Sequence, residues 1–300
     1  MIERIVVPLD GSLTAEAVLP HLRRVLHRND SEVILVRVVV PPTVENSMLI
    51  VDAELGAAQE YIRGQAERLE RAGVRVRHVT RVGSPVRVIL DVVEEQKATM
   101  LALATHGSTG VKRLLFGSVA EGLLRKTPIP VLLVRPFWSY ELVPPIGTEQ
   151  RPVRNVLVPV DGSDRSFEAL PAVVEFAELF ESRVVLLRVL EEGRKGEEGD
   201  PVEAEKQLLA LSKTIEKKGV ETLRFVERGK AVDQILRAIQ VHEIDLVAMT
   251  THGRTGLSRV LTGSVTEEVL RQAPVPLLVI RNANDAEPGT GIPALKEVGR

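Results

Sequence analysis

The hexapeptide Val-Pro-Leu-Asp-Gly-Ser at residues 7–12 returns as Val-Pro-Val-Asp-Gly-Ser at residues 158–163, and nothing else in the chain constrains its fold as strongly. Further blocks repeat in the same order. Leu35, Arg37 and Val38 reappear as Leu186 or Leu187, Arg188 and Val189, and Gly83 reappears as Gly229. Thr105-His106-Gly107, followed by Gly117-Ser118, reappears as Thr251-His252-Gly253, followed by Gly263-Ser264. From Val7 to Val158 the offset is 151 residues, and from Gly107 to Gly253 it is 146, so the length change falls between Val189 and Gly229. One surface connection varies while the rest of the unit is kept. A period this long excludes a solenoid of small repeats, so each copy is a whole domain. The 300 residues then divide into a first domain at 1–136, a linker at 137–153, a second domain at 154–282 and a tail at 283–300, each domain near the usual size.

Within the first copy, Ile5 to Leu9 is a short strand pattern closed by Asp10-Gly11-Ser12, and Thr14 to Leu26 has helical spacing. Strand patterns follow at 33–40, 74–82, 100–104 and 131–134, with helices predicted over 51–71, 85–95 and 118–126. The segment 74–82 alternates apolar residues with Arg75, Arg77 and Arg81, as a strand wet on one face does, which places it at an edge. The second copy repeats this order from Asn155 to Ile280. Strands alternating with helices imply an α/β fold, doubly wound in each domain, with right-handed crossovers. Ligands in such sheets bind beyond the carboxyl ends of the strands, where the strand order reverses. Asp10 follows the first strand and Gly107 the fourth, so the two motifs share a crevice if those strands are neighbours.

Composition narrows the partners. The net charge is -2 and 27% of residues are charged of either sign, which gives no electrostatic footprint for nucleic acid or an anionic membrane. With no cysteine there is neither a disulfide nor a thiolate metal site. No apolar run approaches the ~20 residues of a membrane helix. The opening Met1 to Ile5 leads directly into a strand without the features of a secretory signal, so the expected location is cytoplasmic. The proline-rich linker carries Phe137, Trp138 and Tyr140, expected to pack it against a domain. The Gly289-Thr-Gly291-Ile-Pro-Ala294 string in the tail has a dinucleotide-binding spelling but no strand-turn-helix unit around it, and is rejected.

The chemistry rests on the repeated loops. Gly107, Gly110 and Gly117, and Gly253, Gly256 and Gly263, let backbone N–H groups converge on an anion. Ser118-Val-Ala-Glu121 and Ser264-Val-Thr-Glu267 have capping-box spacing, which predicts a helix start, itself an anion site, at each second glycine. One exposed helix end contributes about 0.3 to 1 kcal/mol per charge, against about 8 kcal/mol for micromolar binding. A nucleoside must therefore be buried nearby, and Pro8, Leu9, Asp10 and Val38 offer an apolar slot with a carboxylate. Asp10 and Asp161 equally suit Asx turns. His106 and His252 lack a partnered carboxylate or nucleophile and read as loop anchors, so no residue is assigned a catalytic role. Lys112, Arg113, Arg254 and Arg259 are loop cations able to meet phosphate. No motif holds a resident metal, though magnesium arriving with a nucleotide needs only one carboxylate, Asp10 or Asp161. A P-loop is absent, which counts against a hydrolase or kinase.

At Val-Pro-x-Asp-Gly-Ser, Leu-x-Arg-Val, Gly-x-Pro-Val-x-x-Ile-Leu and Thr-His-Gly-x9-Gly-Ser the chain resembles the universal stress protein family in tandem form, over residues 2–135 and 154–281. The resemblance implies a five-stranded parallel sheet in each domain, strand order 3-2-1-4-5, with the last strands pairing between domains. It also implies a site for ATP. The family's Gly-x2-Gly-x9-Gly-Ser/Thr motif falls on Ala104, Gly107, Gly117 and Ser118, and on Thr250, Gly253, Gly263 and Ser264, so the first glycine is missing twice. On the adenosine side Pro8, Asp10 and Val38 match, as do Pro159, Asp161 and Val189. The implied function is that of an adenine-nucleotide-binding stress sensor, at most a slow ATPase, working as an intramolecular pseudo-dimer with homodimerisation open. The alternative is an interaction scaffold of the same fold that binds no nucleotide. The acidic, glycine-rich segment 191–200 beside the second site opposes phosphate and favours the first unit for occupancy.

Overall fold

The computed structural model describes residues 3–26, 31–41, 48–105, 117–136, 152–167, 169–191, 200–250 and 264–280. The first unit runs β1 (Arg4–Pro8), α1 (Leu13–Glu16), α2 (Leu19–Val25), β2 (Glu32–Val39), α3 (Met48–Arg71), β3 (Arg75–Val82), α4 (Pro85–Glu95), β4 (Met100–Ala104), α5 (Ser118–Lys126) and β5 (Val131–Val134). In the second unit come β6 (Asn155–Val160), α6 (Asp164–Phe167), α7 (Leu170–Phe180), β7 (Arg183–Leu190), α8 (Pro201–Glu216), β8 (Thr222–Arg228), α9 (Ala231–Val241), β9 (Leu246–Thr250), α10 (Ser264–Gln272) and β10 (Leu277–Ile280).

The helix read over 14–26 is two helices, and proline explains the break. Pro20 has no N–H to donate to the preceding turn, so the helix restarts at Leu19 with proline in its first turn, where that N–H is unpaired in any case. Pro171 does the same at the start of α7.

Ten strands form one sheet in the order β3-β2-β1-β4-β5-β10-β9-β6-β7-β8, so each unit has the order 3-2-1-4-5. Within units the pairing is parallel, and across the seam β5 and β10 pair antiparallel. Leu132 stands opposite Leu278, its own counterpart in the repeat, so the seam has a pseudo-twofold axis through that pair. Alternate strand residues supply the two faces of the core. Ile5, Val7, Val33 and Leu35 pack with Leu22 of α2 and with Ile62 and Leu69 of α3. Val6, Ile34 and Val36 pack with Ile89 and Val92 of α4 and Leu123 of α5. Each fully buried side chain of this size contributes about 1.5–3 kcal/mol. Both clusters continue across the seam into the second unit. β3 lies at an edge as its alternation requires, with Arg75, Arg77 and His78 exposed.

A polar link also joins the units. Arg24 of α2 meets Asp245, just before β9, at 2.6 Å in a largely buried pair. The other oxygen of Asp245 accepts the backbone N–H groups of Arg154 at 2.9 Å and Asn155 at 3.1 Å.

Candidate nucleotide site

β1 lies between β2 and β4, so the strand order reverses there and the carboxyl ends of β1 and β4 flank one crevice. Beyond Pro8, Leu9 still donates its N–H to the Val36 carbonyl at 2.9 Å, and the chain then turns. Gly11 makes the turn at φ 87°, a left-handed conformation suited to glycine. The Asp10 carboxylate accepts the Ser12 N–H at 2.9 Å, and Ser12 caps α1 by accepting the Ala15 N–H at 3.1 Å. Asp10 is thus the Asx-turn residue that its spelling permits. Partial burial pushes its pKa up, but the hydrogen bonds from Ser12 and the charge of Arg37 outweigh that and hold it below the ordinary carboxylate value.

Arg37 was legible only as a charge interrupting an apolar strand at the same place in both copies. Its guanidinium lies 3.9 Å from where a side chain on Gly11 would begin. Along β2, Arg37 belongs to the face covered by α1 and α3, and Val38 to the opposite face, buried with Val36 and Val88. On the Arg37 side, the Tyr61 hydroxyl donates to Glu16 at 2.9 Å. Burial, reinforced by that carboxylate, drives the Tyr61 pKa up.

At the end of β4, Thr105 is buried, and its N–H donates to the Val134 carbonyl at 2.8 Å. The chain is described again from Gly117, which is the N-cap of α5 at φ -68° and makes no side-chain cap. Ser118 is therefore the first residue of the helix, and the capping-box reading is corrected. Glu121 pairs with Arg125 at 3.3 Å, one turn on. The shift follows from Gly117 supplying the non-helical entry, with its carbonyl accepting the Glu121 N–H at 3.0 Å. Ser118 is exposed at the helix start.

The second unit repeats the arrangement with differences. Asp161 accepts both the N–H of Ser163, at 2.9 Å, and its hydroxyl, at 2.5 Å. Arg188 is buried and donates to the Val160 carbonyl at 3.3 Å, and it packs so closely that a side chain on Gly162 would start 3.0 Å from it. Pro159 pairs with Leu187, and Val189 is partly buried against the α9 side of the sheet. α10 starts at Ser264, and its Thr266 hydroxyl donates to the Thr250 carbonyl at 3.3 Å, tying the first turn to the end of β9.

Pro8, Asp10, Val38, Gly117 and Ser118, with Pro159, Asp161, Val189 and Ser264, are thus all placed at strand ends or helix starts on the carboxyl side of their half-sheets. Gly107, Gly110, Gly253, Gly256 and Gly263 lie outside the described residues, as do His106, His252, Lys112, Arg113, Arg254 and Arg259. So do the linker aromatics, residues 192–199 and the tail. Among the described residues no group of three metal-ligating side chains occurs, and no helix is long and apolar enough to cross a membrane.

The family model for universal stress proteins matches residues 1–135 and 152–281. The chain belongs to the universal stress protein family. One family member from Methanocaldococcus jannaschii is 29% identical over 143 residues, covering 43% of this chain and 82% of its own length. Another from the same organism is 28% identical over 155 residues, 45% of this chain and 96% of its own length. These relatives each correspond to about one unit. Whole-chain likeness is found in the crystal structure of a universal stress protein from Archaeoglobus fulgidus, at a TM-score of 0.72 and 21% identity, covering 94% of this chain and 99% of that one. At that identity it speaks for the fold, in which two such units stand in one chain.

Proposed function

We propose that this chain binds an adenine nucleotide, ATP foremost, at the crevice between the carboxyl ends of β1 and β4, at its counterpart between β6 and β9, or at both. In this reading it acts in the cytoplasm as a stress-linked sensor or regulator rather than an efficient enzyme. The observation that carries it is the Asp-Gly-Ser turn at the point of strand reversal. Its carboxylate is held ionised and so able to accept ribose hydroxyls, and α5 begins with an exposed serine that is not spent on capping. Pro8, Asp10 and Val38 form the nucleoside side. Gly107, Gly110, Gly117 and Ser118 form the phosphate side, with Pro159, Asp161, Val189, Gly253, Gly256, Gly263 and Ser264 as their counterparts. Magnesium would come with the triphosphate, Asp10 or Asp161 being the single carboxylate available to it, and it would neutralise phosphate charge there.

Protein purified under native conditions is expected to release adenine nucleotide on denaturation, read by mass spectrometry. Added ATP at a hundred times its Kd should stabilise the fold by about 2.7 kcal/mol. No shift of the melting temperature at millimolar ATP sinks the reading. The scaffold alternative has one observation in its favour: Ala104 and Thr250 end β4 and β9 where the nucleotide-binding pattern has glycine. Under that alternative a Gly107→Val, Gly253→Val double variant keeps its partners, whereas the nucleotide reading expects it to lose every ligand-dependent effect.

A further inference from the structure

We infer that the two crevices are not equivalent: the first unit takes the nucleotide, its base lying against an aliphatic rim of Leu13 and Val40, and the second unit does not. The inference rests on the adenine-nucleotide reading and adds which half carries it and which residues shape it. Leu13 opens α1 at the carboxyl end of β1, and Val40 follows β2, the strand beside it. Water reaches both, at 73% and 57% exposure. Exposed aliphatics at the ends of adjacent strands suit a ligand with an apolar face, and a purine ring has two.

The counterparts of Leu13 and Val40 in the repeat are Asp164 and Glu191, so both aliphatics of the rim are replaced by acidic residues. Among the described residues of the second unit, the exposed large aliphatics Val202, Leu209 and Val241 lie on helices and not at the ends of β6, β7 or β8. Glu191 is also engaged: its carboxylate accepts the Ala231 N–H at 3.1 Å, placing a negative charge on the start of α9. In the first unit that helix starts at Pro85, which has no N–H, and the counterpart of Glu191 is Val40. Three further differences point the same way. Arg188 is packed onto the Gly162 turn more closely than Arg37 is onto Gly11. Thr250 adds a branched side chain where Ala104 has a methyl group. Finally, α3 has 24 residues against 16 in α8, and their ends near β3 and β8 correspond, so the extra length lies at the carboxyl end. Since Pro201 aligns with Leu55, α3 begins seven residues earlier, at Met48. The extension adds about 10 Å of helix to the crevice end of the first unit.

The test is equilibrium dialysis of the full chain with labelled ATP and magnesium. One nucleotide per chain is expected. Val40→Glu, which installs the second unit's residue, should weaken binding about tenfold or more by setting a charged carboxylate against the apolar face of the base, while Glu191→Val leaves the tight site as it is. Two equivalents of similar affinity overturn the inference, as does one equivalent whose affinity Val40→Glu does not change. Melting temperatures recorded alongside show whether each variant is folded. If Val40→Glu is not, Leu13→Asp at the most exposed rim position decides by the same criteria. An unsubstituted chain that binds nothing strikes the nucleotide reading itself, and this inference with it.

Discussion

His21 has 5% of its surface exposed on α2, and its burial, with the positive charge of Arg24 one turn away, pushes its pKa from 6.5 down to about 3. The folded chain therefore holds the imidazole neutral, whereas the unfolded chain protonates it near its ordinary value. Stability from this group is complete above pH 6.5 and is lost as pH falls towards about 3, the unfolded state binding the extra proton. The slope is at most about 1.4 kcal/mol per pH unit. Urea unfolding of the native chain is expected to show falling stability from pH 7 to pH 5, a window above the carboxylate titrations. A His21→Leu variant should be flatter there, and parallel pH profiles would remove His21 as the cause. Asp10 acts lower on the scale: its depressed value means that its contribution is present at neutral pH and lost as pH falls through the folded value. At this scale the sequence was informative where a residue had one job. Asp-Gly-Ser announced a turn, and a turn is what it forms. Arg37 and Arg188 were visible as a repeated charge in an apolar strand, but their place over that turn depends on the register of β1 with β2. A single strand's spelling does not contain that register.

Among elements, the joint made by Arg24 and Asp245 has unequal halves. Asp245 serves two backbone N–H groups as well as the guanidinium, so removing it takes the partner from three donors at a partly buried joint. Asp245→Ala is expected to destabilise the chain by about 1 to 3 kcal/mol, the cost of leaving partly buried donors without their partner. Arg24→Ala should cost less, because the carboxylate keeps its backbone donors. Equal losses in chemical denaturation would mean that the backbone bonds contribute nothing. Element bounds were largely legible, since Pro85–Glu95, Met100–Ala104 and Val131–Val134 follow directly from periodicity and proline position. Two local rules were outweighed. Pro20 divided a helix whose apolar spacing is continuous, and Gly117 took the cap position from Ser118 because it enters the helix one residue earlier.

For the whole molecule, the two core clusters cross the β5–β10 seam, so the units share their interiors. Leu278 lies on the pseudo-twofold axis and is buried on the face shared by α2, α3 and α7. Leu278→Ala is expected to cost about 2 to 5 kcal/mol and to lower one common calorimetric transition. Two resolved transitions, with only the second displaced, would show that the units unfold separately. The fold at this scale was readable from the tandem blocks, which gave the number of units and, with strand-helix alternation, the winding. What the blocks could not display was the difference in crevice rims, because Leu13 and Val40 lie just outside the repeated motifs and matter only once β1 and β2 stand side by side.

The pairing of Leu132 with Leu278 bears on heredity as well as on packing. In a homodimer of single units, each change in the gene appears at both ends of the assembly, so a mutation that improves one mouth must be tolerable at the other. Here the seam keeps dimer geometry while the two halves are encoded separately. A substitution at one mouth therefore leaves the other mouth unchanged.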